Sequence, residues 1–175
     1  MIALYIIVGV IALFLIVAAF AGTRWNYEKS VLISAPVEKV WSNVSTLRAC
    51  NRWSPWMVKD PNIRLQYSGT DGTPGASFSW DSDNKNVGAG NQTITRVTPN
   101  SEVDSRIEFL RPFKGKGDAY VLLTVERAVT RVSWGIESST PYPMNILKLF
   151  GVIEKNMNRD FSFGLNKLKG LCEQG

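Results

Sequence analysis

The sequence predicts an α+β fold in which a curved antiparallel sheet wraps around one long C-terminal helix, with a separate apolar helix ahead of both. Three observations predict it. Over residues 145–173, Ile146, Phe150, Ile153, Met157, Phe161, Gly164, Leu168 and Cys172 recur every three or four positions, which stacks them on one helical face. Over residues 27–139, apolar and polar side chains alternate as in half-buried strands, with turn residues at hairpin spacing between the runs. Residues 2–22 carry no charged side chain and are mostly Ile, Leu, Val, Ala and Phe. The boundaries therefore fall at 1–23 for the apolar segment and 24–175 for the folded domain. About 150 residues suit one domain with a single core.

The apolar segment is long enough to cross a bilayer, since about 20 helical residues span its hydrocarbon core. Ala19, Phe20 and Ala21 form an A-x-A-like site that a signal peptidase could cut. Against cleavage, the run exceeds the roughly 7 to 15 residues of a signal core, and no Lys or Arg precedes it. A retained single-pass anchor is the expectation. Arg24 and Lys29 follow it, so the positive-inside rule leans toward a cytoplasmic domain. Trp25 and Tyr27 suit the headgroup region or the start of a first strand.

Tyr27, Lys29, Val31 and Ile33 share one face of the first strand. Ser34 is placed to cap a short helix in which Pro36 suits the first turn and Val37, Val40, Trp41 and Val44 fall at helical spacing. A second short helix follows, with Leu47 and Cys50 inward, and Pro55 ends it. Leu65 and Tyr67 mark the second strand. Ala76, Phe78 and Trp80 share a face of the third, and Gly90, Gln92 and Ile94 of the fourth. The fifth presents Val103, Ser105, Ile107 and Phe109; the sixth Ala119, Val121, Leu123 and Val125; the seventh Val132, Trp134 and Ile136. Short connections make the later strands antiparallel. In the terminal helix Gly164 costs about 1 kcal/mol relative to Ala, which points to a close approach or a gap at that position.

Composition narrows the function. The chain has no histidine, which removes Ser-His-Asp and Cys-His catalysis, His-metal sites and the commonest general base. A net charge of +5 is too slight for a nucleic-acid footprint and fits an anionic membrane surface at least as well. Cys50 and Cys172 form no CxxC and read as free thiols or one disulfide. The residues 81–92 begin like a calcium loop, but Lys85, Asn86 and Gln92 occupy positions that need an oxygen ligand, Gly and Glu. Gly88–Gly90 and Gly115–Gly117 lack phosphate-loop spacing and suit a bulge and a turn. No cofactor or metal is expected.

The aromatic residues carry the positive evidence. Phe78, Trp80, Phe109 and Trp134 fall on inward strand faces, and Trp53 and Trp56 flank the loop after the helix pair. They either fill a core or line a pocket. Gln92 is the polar exception on an inward face; its amide must bond backbone or meet a polar group of a ligand. Glu108, Glu126 and Glu137 have outward parity and read as solvated surface. Lys114, Lys116 and the helix cations read as solvated, or as attractors of anionic lipid.

The element order, with Ile33-Ser34-Ala35-Pro36-Val37-Glu38-Lys39-Val40-Trp41 leading into a helix pair, resembles the START-like (SRPBCC) superfamily and its helix-grip, Bet v 1-like fold. Trp53-Ser54-Pro55-Trp56, Gly88-Ala89-Gly90, Phe109-Leu110-Arg111-Pro112-Phe113 and Thr130-Arg131-Val132-Ser133-Trp134 look like its bacterial polyketide cyclase/dehydrase and lipid-transport group. The resemblance covers residues 27–171 and implies a seven-stranded sheet closing over the terminal helix around a cavity for an apolar molecule. It implies no particular activity. For a bacterial chain of this group, the anchor would sit in the inner membrane. The resulting expectation is membrane-tethered binding, or transport, of a lipid or other small hydrophobic ligand. Trp53, Trp56, Phe78, Trp80, Gln92, Phe109, Trp134, Phe150, Ile153 and Met157 would line the cavity. Alternatives are a cyclase, dehydratase or hydrolase acting on an apolar substrate through a buried carboxylate, Tyr67 or Tyr120, and a chaperone-like protein-binding module.

Overall fold

The computed structural model describes residues 1–174. An apolar helix, α1 (Ile2–Phe20), leads into β1 (Arg24–Ile33), three short helices, α2 (Val37–Val44), α3 (Leu47–Trp53) and α4 (Pro55–Lys59), then β2 (Arg64–Ser68) and β3 (Ser77–Asp81). β4 (Ala89–Thr98), β5 (Glu102–Arg111), β6 (Gly115–Glu126) and β7 (Val129–Ser139) follow. A 3-10 turn at Met144–Lys148 precedes the terminal helix α5 (Val152–Glu173). One seven-stranded sheet runs β1-β7-β6-β5-β4-β3-β2, with every neighbouring pair antiparallel. β1 closes against β7 because the intervening chain leaves for the helices and returns at the far edge. The result is the α+β helix-grip arrangement.

Several boundaries differ from the sequence reading. β1 begins at Arg24, three residues early, which brings Trp25 onto the inward face with Tyr27. Pro36, not Ser34, is the N-cap of α2, and the Ser34 amide instead donates to Glu173 Oε1 at 2.7 Å. α3 stops at Trp53, just ahead of Pro55, as read, but Pro55 also opens a further helix, α4, at a first-turn position where its missing N–H costs nothing. The C-terminal stripe is not one helix from residue 145. Gly151 takes a left-handed φ of 64° and starts α5 afresh, so the residues before it do not share the helical phase of those after it.

The core forms two apolar clusters. One gathers Trp53, Trp134, Phe161 and Leu165 with the inward residues of β1, β6 and β7, where α5 packs. The other holds Leu47, Phe78, Ile94 and Val103 under α3 and the β3–β5 strands. α5 packs toward the β1 end of the sheet and Leu47 of α3 toward the β3–β5 strands, so the two clusters are gathered at different ends of the sheet. Cys50 and Cys172 are both free thiols.

Candidate functional site

A cavity of about 260 Å³ lies between the sheet and α5, with walls drawn from both clusters. Its first wall is built around Trp134. The Phe161 ring stacks on Trp134 at 3.9 Å between centroids and 13° between planes, while Trp53 and Trp56 meet it edge-on at 4.9 and 5.9 Å. Such contacts contribute roughly 0.5 to 1.5 kcal/mol each beyond the area they bury. Gly164 makes the grouping possible, since a Cβ there would come within 2.8 Å of Trp134 Cζ3. The Gly signal in the sequence therefore marks a close approach, not a gap. The second wall is a run of rings along the sheet. Phe78 tilts against Trp80 and Trp80 meets Phe109 at 77°, while Tyr67, which does not border the space, stacks on Phe78. Gly90, beside a bulge at Ala89/Gly90, leaves room for the Trp80 indole that any side chain would displace.

Of the sequence-predicted residues, Trp53, Trp56, Phe78, Trp80, Gln92, Phe109, Trp134 and Met157 border this space. Trp53 is only 2% exposed, with its indole N–H donating to the Asn43 carbonyl at 3.0 Å, so it belongs to the deep wall and not to a mouth. Phe150 and Ile153 do not border the cavity. Phe150 precedes the left-handed Gly151 and is 70% exposed, and Ile153 is half-buried in the first turn of α5. Sequence reasoning missed Trp25, Met57, Cys50 and Phe161 as wall residues. Trp25 was hidden by starting its strand at Tyr27, and Phe161 stood in the helical stripe without being singled out. Ser105 and Ile107 were legible from strand parity alone.

The cavity's polarity is low and its chemistry sparse. Gln92, paired across the sheet with Phe78 and Ile107, makes no side-chain hydrogen bond to protein. Ser105 is 5% exposed beside it on the inward face. Among the described residues no Asp, Glu, Lys or Arg borders the space. The Cys50 thiol donates to the Val44 carbonyl at 3.3 Å, and burial, helped by Asp71, pushes its pKa up to about 12. Tyr120 turns its hydroxyl to the outer face, over Gly135, where it donates to Glu28; burial and that bond raise its pKa to about 12. Glu108 and Glu126 also face outward, paired with Lys116 at 2.7 Å and Arg131 at 2.5 Å. Among the described residues no three or more Cys, Asp or Glu side chains gather as they would around a metal ion. Outside the cavity, a charge pair ties α4 to α5: Lys59 donates to the buried Asp160 at 2.6 Å, with its ammonium 5.8 Å from the Trp56 ring.

A curved sheet closing over a terminal helix, with a ring-lined space between them, defines a START-like helix-grip protein. Residues 24–173 match the polyketide cyclase / dehydrase and lipid transport family, and the chain belongs to that family. The same fold recurs in solved structures of low sequence identity. Ara h 8.0201 superposes with a TM-score of 0.60 at 12% identity, covering 87% of this chain and 99% of that one. The Aha1 dimer from Colwellia psychrerythraea gives 0.58 at 18% identity over 85% and 96% of the two chains. The di-domain ARO/CYC StfQ of the steffimycin biosynthetic pathway gives 0.61 at 13% identity; 87% of this chain matches 51% of that one. No curated protein matches significantly.

Proposed function

We propose that the domain holds one small hydrophobic molecule between sheet and α5, next to a bilayer in which α1 is anchored. The observation that carries this reading is the cavity itself: about 260 Å³, walled by aromatic and aliphatic side chains, with the unpartnered Gln92 amide on one wall. A dry apolar cavity of about 150 Å³ accepts benzene, so this space suits a guest of two fused rings or a stretch of one acyl chain. It is too small for a whole diacyl lipid. Burial of apolar area, at about 25 cal/mol per Å², would supply the affinity. Gln92 would fix the orientation of a guest carrying one hydroxyl or carbonyl, because its half-buried amide loses water when a guest covers it and gains by finding a partner.

The tether rests on α1. Its 19 residues match the thickness of a hydrocarbon core, and of its side chains only Ala18 is buried. Among the described residues it is the one helix long and apolar enough to cross a membrane. Anchoring would raise the effective concentration of membrane-derived guests at the cavity without any added contact. Arg24 and Lys29 next to its C-terminal end favour a cytoplasmic domain. Acid-base catalysis on a bound guest has little to draw on, since the one thiol on the walls stays protonated at neutral pH. The test is extraction of small molecules from the purified full-length chain followed by mass spectrometry. A recurrent apolar species released on unfolding supports the reading, and a chain repeatedly free of such species that also takes none up contradicts it.

A further inference from the structure

The last turn of α1 is fastened to the domain. Asn145, 1% exposed in the 3-10 turn, donates from Nδ2 to the Ala18 carbonyl at 2.7 Å and to the Ala21 carbonyl at 2.6 Å. Lys148 Nζ donates to the carbonyls of Gly22 and Arg24. The Asn145 bonds satisfy carbonyls that the end of α1 leaves without intrahelical partners, and Lys148 holds the link that follows. They also fix where the 3-10 turn lies: with α1 spanning a bilayer, a group bonded to Ala18 and Ala21 sits at headgroup depth.

That segment is apolar on its exposed side. Tyr142 is 52% exposed, Leu149 59%, Phe150 70% and Val152 41%. The sheet register places a second apolar turn at the same end, because Arg24 pairs with Ser139, Gly117 with Ser138 and Phe109 with Gly115. The turn between β5 and β6 therefore lies at the end where α1 joins, and it exposes Leu110 at 48% and Phe113 at 70%, followed by Lys114. The turns at the opposite end present Pro99, Asn100, Arg127 and Ala128 to water. Exposed aromatic and aliphatic side chains beside a lysine are the composition that settles at a membrane interface.

We infer that residues 142–152 and 110–114 form a second, peripheral bilayer contact, so that the domain stands end-on against the membrane instead of swinging from its anchor. The inference rests on the reading of α1 as a membrane span. It turns toward the lipid the end of the cavity bordered by Trp25 and Phe109, giving an apolar guest a short path between bilayer and interior.

The full chain, reconstituted in vesicles of equal parts phosphatidylcholine and phosphatidylglycerol, tests this with an environment-sensitive fluorophore. The dye is attached to Leu13→Cys, Phe113→Cys, Phe150→Cys or Ala128→Cys, each a single variant, and the unsubstituted chain gives the background from Cys50 and Cys172. Nitroxide-bearing lipid is the quencher. Quenching several-fold stronger at 113 and 150 than at 128, together with strong quenching at 13, is the expected result. Strong quenching at 13 with 113 and 150 no more quenched than 128 overturns this inference and leaves the tether standing. Absence of quenching at 13 overturns both.

Discussion

The indole of Trp134 lies against the backbone of Gly164, so close that a methyl group on that glycine would come within 2.8 Å of Cζ3. Phe161, Trp53 and Trp56 pack against Trp134, so the indole can yield only by breaking those ring contacts and moving into the cavity it borders. Gly164→Ala should therefore destabilise the domain even though alanine improves helix propensity by about 1 kcal/mol. Overpacking costs about 1 to 3 kcal/mol, which leaves a net loss of about 1 kcal/mol and a Tm lower by a few degrees. Thermal unfolding measures it. A more stable variant would mean that the wall is softer than described.

Gln92 separates polar from hydrocarbon guests. Replacing it with Leu removes the amide and keeps an apolar wall, so affinity for a guest bearing a hydroxyl or carbonyl should fall by about 1 kcal/mol or more, roughly fivefold. A pure hydrocarbon of the same size should bind as well or better. Competition between naphthalene and naphthol for the wild-type and Gln92→Leu chains gives both numbers.

Cys50 reports on the protonation of the wall. With a pKa pushed to about 12 by burial and Asp71, its thiolate is scarce at pH 8, whereas an ordinary thiol with a pKa of about 8.5 is substantially ionised there. The raised value favours the neutral thiol, so reactivity should climb about tenfold per pH unit and continue to climb well above pH 9. Alkylation by iodoacetamide, followed by mass spectrometry of the intact chain between pH 7 and 10, checks the slope. A plateau near pH 9 would contradict it.

Much of this architecture was legible in the sequence because strand parity is a local rule. The inward positions of Phe78, Gln92, Phe109 and Trp134 follow from alternation, and the register confirms them against one another. Gly164 signalled a close approach or a gap, and its spacing alone could not choose between them or name Trp134 as the neighbour. The reading failed where phase crosses a break. Spacing places Phe150 in the terminal stripe, yet α5 begins only after Gly151 at φ 64°, which leaves that ring 70% exposed. Gly151 is legible in the sequence as a residue free to take a left-handed φ and so to break helical phase. Pairings distant in sequence left no local trace. Lys59 with Asp160 and Asn145 with Ala18 depend on how helices pack and could not be read from spacing.

Titration of the full-length chain with the fluorescent two-ring guest 2-naphthol, beside a Ser105→Phe variant that fills the interior, tests the central claim most directly. Ser105 is inward and 5% exposed, so a phenyl ring there occupies guest volume without touching the outer surface. The account predicts saturable uptake at one molecule per chain by the wild type and its loss, by at least about tenfold in affinity, in the filled variant. Uptake that is absent in the wild type, or unchanged in a Ser105→Phe chain that still folds, would contradict it.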